Sequence, residues 1–137
     1  MSSPTFTLAV RVSDTDIDPQ GHVNNVAFLR YVQDVASAHW MSAAPAEYRI
    51  AFAWVVRRHE IEYLRPGLPE DELSLRTWVG EASGATWERF TEIIRPSDGQ
   101  VLVKARTVWV LLDAATGRPR RVDSRMVAAL IDPKTTE

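Results

Sequence analysis

From Asn24 onward, Phe28, Leu29, Val32, Val35, Ala36, His39 and Trp40 recur at spacings of three and four, which predicts a helix with one apolar stripe. It is the one long segment with that period, so the rest of the chain must cover this stripe. Asn24 or Asn25 is expected to cap the helix, because an asparagine side chain accepts from the free N–H groups of a first turn. Ala43-Ala44-Pro45 is expected to stop it.

The remaining long segments read as strands. Residues 6 to 12, FTLAVRV, alternate and are β-rich, and four further runs follow the helix at roughly 51–64, 71–82, 85–95 and 100–113. Turn signals separate them at Pro66-Gly67, Ser83-Gly84 and Ser97-Asp98-Gly99. Short connections of this kind predict antiparallel neighbours. In the last run Val101, Val103, Ala105, Thr107, Trp109 and Leu111 share one face. The other face carries Leu102, Lys104, Arg106, Val108, Val110 and Leu112, so one end of this strand is expected to be buried on both sides. Ser124 is placed to cap a short terminal helix through Ile131, ended by Pro133. One long helix and one antiparallel sheet make an α+β layer architecture, in which a curved sheet of about five to six strands wraps around the helix.

At 137 residues the chain is read as one domain spanning 1–137, with neither repeat nor linker. Apolar residues are 45% and charged residues 25% of it, enough for a core and too apolar for disorder. A chain of this size buries about two-thirds of its surface alone, so pairing with a second copy would add burial. Sixteen basic against 18 acidic residues, net −2, argue against a nucleic-acid partner. Without cysteine there is no disulfide framework, thiolate site or cysteine nucleophile. Neither a signal-like start nor a long apolar span is seen, so a cytoplasmic protein with no membrane partner is expected.

The polar segment between the first strand and the helix is DTDIDPQGHVNN, residues 14 to 25. Alternating Asp14, Asp16 and Asp18 suggest a calcium loop. That loop needs glycine at its sixth position and glutamate at its twelfth, where this chain has Pro19 and Asn25. Three scattered histidines lack metal-ligand spacing, so no metal is expected. Asp, Pro, Gly and Asn also build turns and caps, and the segment can be read as that alone. A second reading comes from its place before the only long helix. N–H groups at a helix start can polarise a carbonyl oxygen while an adjacent carboxylate attacks or deprotonates water, which suits an ester or thioester.

Asp16-Ile-Asp18-Pro-Gln-Gly21-His22-Val-Asn24-Asn25, followed by Phe28 and Tyr31, resembles the signature of the 4-hydroxybenzoyl-CoA thioesterase-like family. The IEYLRPG run at 61–67 and GRPRRVDSRMVAAL at 117–130 are similar to later parts of that family. The resemblance implies a hotdog fold, a homodimer or homotetramer, and hydrolysis of acyl-CoA or acyl carrier protein thioesters without a cofactor. It puts the catalytic carboxylate on Asp18, as nucleophile or general base. Similarity to plant acyl carrier protein thioesterases makes His22 a second catalytic candidate, although Gln20 stands where those enzymes carry asparagine. Backbone N–H groups at Asn24, Asn25 and Val26 are the implied oxyanion donors beside the Gly21 turn. Some members carry histidine at Asn25, so that residue either takes part in catalysis and substrate binding or only caps the helix.

Tyr31 is carried over as a substrate contact. Relatives have glutamate near Gln33-Asp34-Val35, so Asp34 either replaces that acid or is a plain exposed charge. Arg57, Arg58 and His59 are candidates for the nucleotide phosphates of coenzyme A across a subunit boundary, or ordinary surface residues. Trp54, Trp78, Trp87 and Trp109 either line the acyl pocket or fill the core, and core packing is the expectation for each. Two rival functions remain. A hotdog enoyl thioester hydratase or dehydratase also joins Asp and His in one loop, but with a spacing of five where Asp18 and His22 are four apart. A non-catalytic acyl-thioester-binding protein is the other.

Overall fold

The structure, a computed structural model, describes residues 4–131. In chain order these form β1 (Phe6–Arg11), a single 3-10 turn (Asp14–Asp16), α1 (Asn25–Ala43) and α2 (Ala46–Ala51). Then follow β2 (Phe52–Tyr63), β3 (Glu72–Ser83), β4 (Thr86–Arg95), β5 (Gln100–Asp113) and α3 (Ser124–Ile131). The expected stop of α3 at Pro133 lies outside the described residues. Among the described residues no helix is long and apolar enough to cross a membrane.

The five strands form one sheet in the order β1-β3-β4-β5-β2, every neighbouring pair antiparallel. This is the hotdog arrangement, with α1 against the inner face. Neighbouring strands follow one another from β3 to β5, as the short turns predict. That expectation fails between β2 and β3. The 64–71 connection carries the chain across the end of the sheet, and β2 pairs instead with β5 at the opposite edge. Gly67 makes the crossing possible: a Cβ there would lie 2.6 Å from Val23 Cγ2 and 3.0 Å from Phe28 Cζ. Its carbonyl accepts from Val23 N–H at 2.8 Å, which ties the connection to the entrance of α1.

Asn24 is the cap, its Oδ1 accepting from Val26 N–H at 2.8 Å. At the other end Ala44 N–H closes on Trp40 O before Pro45. The buried stripe is Ala27, Phe28, Tyr31, Val32, Val35, Ala36, His39 and Ala43, leaving Leu29 and Trp40 of the expected set half-buried. Val12, Val23, Phe28, Val32, Val35, Leu73, Leu75, Ile93 and Val103 form one apolar cluster under the first half of α1. Val79, Trp87, Leu111, Val122, Met126 and Leu130 form a second, closed by α3. Each fully buried large aliphatic or aromatic side chain contributes about 1.5–3 kcal/mol. Leu102 and Val103 are both fully buried, so the start of β5 is covered on both faces.

A polar band lies between the clusters. On β3, β4 and β5 the positions between them are Thr77, Arg89 with Thr91, and Thr107, all buried, and His39 of α1 meets them. Thr77 Oγ1 donates to Phe90 O at 2.7 Å and receives Thr91 Oγ1 at 3.2 Å.

On β2, Val56 faces Trp109 and Arg58 faces Val108, which leaves Arg57 as an unpaired bulge residue. Phe52, Trp54 and Val56 are the more buried positions before the bulge; His59 and Ile61 take that role after it.

Candidate active site

The segment before α1 is a compact hairpin. An isolated bridge joins Ile17 to Val23, and Asp18 N–H donates to His22 O at 2.7 Å. The tip is a four-residue turn closed by Gly21 N–H on Asp18 O at 3.0 Å. Asp at its first position, Pro19 at the second and Gly21 at the fourth are residue types that favour such a turn. Gly21 has φ +83°, a conformation L side chains rarely adopt. Asp18 Oδ1 accepts from Gln20 N–H at 2.9 Å and from His22 N–H at 3.1 Å. The carboxylate is therefore oriented by backbone, with Oδ1 alone taking those bonds.

The hairpin is locked to the helix start through Asp16. Its backbone O accepts from Asn24 N–H at 2.8 Å. Its side-chain Oδ2 accepts from both Arg30 Nη2 and Tyr31 Oη at 2.7 Å. Asp16 is 6% exposed, and the Arg30 bond, ahead of that from Tyr31, holds its carboxyl below the ordinary carboxylate value despite burial. Burial and the Asp16 bond push the Tyr31 hydroxyl upward, so it is a neutral donor. Beyond turn building and local charge, the sequence suggested no task for Asp16. The structure makes it the anchor of this segment.

The cap uses two of the three N–H groups expected as oxyanion donors. Asn24 N–H is on Asp16 O and Val26 N–H is on Asn24 Oδ1, which leaves Asn25 N–H unengaged among the described residues. Six residues of the segment, Asp18, Gln20, His22, Val23, Asn24 and Asn25, line a cleft of about 440 Å³ with Phe28. Tyr63, Leu64, Arg65 and Pro66 form its other wall, and Tyr63 packs on Phe28 at 6.2 Å. Arg65 is the arginine in this cleft. It lies inside the IEYLRPG run, and its lone basic charge at a turn was the signal available in the sequence.

The other candidates lie elsewhere. Gly21 shapes the turn, and Val26, 71% exposed, sits outside the cleft lining. Tyr31 is buried with its hydroxyl on Asp16. Asp34 is exposed on α1. Arg57 and Arg58 are exposed on β2, Arg58 Nε 3.3 Å from Glu60 Oε1. His59 points inward, Nδ1 2.9 Å from Thr107 Oγ1 and Nε2 3.4 Å from Gln33 Nε2, and burial lowers its pKa. None of these last four lines the Asp18 cleft.

A family model described as the thioesterase-like superfamily matches residues 11–130. The acyl-CoA thioester hydrolase YbgC of Escherichia coli O157:H7 is 26% identical over 133 residues, covering 93% of this chain and 97% of its own. A thioesterase from Thermus thermophilus, solved with coenzyme A and zinc, is 27% identical with TM-score 0.80, covering 94% and 92%. Slr0204 from Synechocystis, a 1,4-dihydroxy-2-naphthoyl-CoA thioesterase, shares the fold at TM-score 0.83 and 21% identity, covering 96% and 98%.

Proposed function

The chain belongs to the thioesterase-like superfamily, and from that premise we propose that it hydrolyses acyl-CoA thioesters at the cleft between Asp18 and the start of α1. The observation that carries the site is the Asp18 carboxylate, fixed by two backbone N–H groups beside a helix terminus whose Asn25 N–H is unengaged. Asp18 acts as general base on water or as nucleophile. In the first case water adds to the thioester carbonyl carbon as Asp18 takes its proton. The carbonyl oxygen becomes an oxyanion held by Asn25 N–H at the positive end of the helix. Collapse breaks the C–S bond, and the departing thiolate receives the proton, giving free acid and thiol. In this reading His22, which lines the same cleft, hands on that proton.

The carrier is read as coenzyme A, with acyl carrier protein the other source of the same thioester. The outer edge of β2 has no strand partner among the described residues. Two copies pairing there would extend the sheet and carry Arg57, Arg58 and His59 to a subunit boundary, which supports a homodimer or a tetramer built from it. A cytoplasmic setting follows from the proposed substrate.

The test is thiol release from an acyl-CoA panel by the wild type and by Asp18→Asn. We expect the variant to lose roughly 10²–10⁴-fold in rate, the range of a positioned base. Unchanged release would remove Asp18 from the mechanism. Addition of water to an enoyl thioester without thiol release would point to a hydratase.

A further inference from the structure

A second cavity, of about 280 Å³, lies near the other end of α1 and shares no lining residue with the Asp18 cleft. Trp40 of α1, Trp54 of β2, Trp87 of β4 and Trp109 of β5 line it, four of the five tryptophans in the chain. Trp40 and Trp54 meet edge-on at 5.5 Å, and Trp54 lies 6.2 Å from Trp87. The fifth, Trp78, stacks on Phe90 elsewhere.

Arg89 is part of the wall and only 6% exposed. Its Nη1 donates to His39 Nδ1 at 3.0 Å and to Thr77 Oγ1 at 3.1 Å. Because arginine can only donate, His39 Nδ1 must accept and its ring is neutral. No carboxylate pairs with Arg89 among the described residues. Burial brings its pKa down to about 10, which still leaves it charged at neutral pH. Neighbouring Glu88 is committed elsewhere, Oε2 to Arg106 Nε at 2.8 Å and Oε1 to Glu81 N–H at 3.3 Å. A cation removed from water without a counter-ion is costly, so an anion reaching it would relieve that cost. Trp109 adds a second unanswered donor, its buried Nε1–H lacking any acceptor among the described residues. At the wall nearer solvent stands Arg49, exposed, with Nη1 on Met41 O at 2.7 Å.

We propose that this cavity binds a small aromatic carboxylate, its ring held among the tryptophans and its carboxylate paired with Arg89. A guanidinium matches a carboxylate in plane and in donor spacing. Indole walls favour a flat ring at offset or edge-on geometry. The volume, about 280 Å³, lies just below the ordinary range of ligand sites, about 300–1,000 Å³, which suits one ring better than a long chain. Asp18 is absent from this lining, so the proposal does not rest on it.

Phenylacetate is the probe and 2-phenylethanol its uncharged counterpart, each titrated into the full chain by calorimetry and by indole N–H resonances. Phenylacetate is expected to saturate and to bind at least about tenfold tighter than the alcohol, the scale of one charged pair. It should shift the Trp109 resonance, identified by its absence in Trp109→Phe, and leave that of Trp78 in place. Arg89→Met should remove the preference for the acid while alcohol binding stays as in the wild type, a split that general destabilisation would not give. Asp18→Asn should bind phenylacetate normally. Equal binding of acid and alcohol by the wild type, or no saturable binding, would overturn the assignment without needing any variant to fold.

Discussion

Tyr31 donates its hydroxyl proton to Asp16 Oδ2 at 2.7 Å, joining the inner face of α1 to the hairpin that carries Asp18. Arg30 reaches the same oxygen from the solvent side, half exposed. The buried member of this pair of donors is the one that matters for stability, because an exposed ion pair is screened.

Tyr31→Phe should therefore cost about 1.5–3 kcal/mol, the range for a hydrogen bond to a charged group. Asp16→Asn should cost a similar amount, and the double variant less than the sum, since both remove one interaction. Urea unfolding of the three variants measures this; strict additivity would show that the two side chains are not coupled.

Asn24→Ala removes the side-chain acceptor of Val26 N–H and should destabilise α1 by about 1 kcal/mol. It also frees that N–H at the helix start beside Asp18. A melting curve measures the first effect, and KM for an acyl-CoA substrate reports the second.

Gly67→Ala should be damaging although alanine is small. The new methyl meets the Val23 and Phe28 side chains at 2.6 and 3.0 Å, both beside the cleft. A loss of about 1–3 kcal/mol is expected from overpacking, with a raised KM as the 64–66 wall is displaced. Unchanged stability would mean that the crossing connection yields easily.

His39 makes stability depend on pH. Burial, reinforced by Arg89, lowers its pKa from 6.5 to about 4. Between those values the unfolded chain takes up a proton that the folded chain refuses. Stability is full above pH 6.5 and declines as pH falls toward 4, by up to about 3 kcal/mol from this residue. His59, also lowered by burial, adds in the same direction. Denaturant midpoints from pH 7 to 4 test the slope, and His39→Gln, which keeps an acceptor for Arg89, should flatten it.

How far the chain could be read in advance follows from the range of the forces involved. The helix, its cap at Asn24 or Asn25 and its stop before Pro45 are local, and the 3.6-residue period with Asn and Pro chemistry expresses them directly. The crossing of β2 to β5 is not local, since nothing in an alternating strand names its distant partner. Short α2 was hidden because six residues carry too little period to separate from the strand that follows. Asp16, like Asp14, looked like a turn-building loop acid, and only its contact with Tyr31, fifteen residues on, sets it apart. Arg89 did leave a local trace: Trp87, Arg89, Thr91 and Ile93 share one face of β4, which places a cation on an otherwise inward row.

The bulge at Arg57 sets the phase of the whole second half of β2. Were Arg57 instead to enter the ladder opposite Val108, inside and outside would be exchanged from there to Tyr63, turning Arg58, Glu60 and Glu62 toward α1 and His59 and Ile61 toward solvent. For engineering or alignment of this strand, a gap of a single position at 57 therefore leaves surface and core as they are, whereas losing the bulge with Arg57 retained exchanges them, and it is the bulge that keeps three charges out of the protein interior.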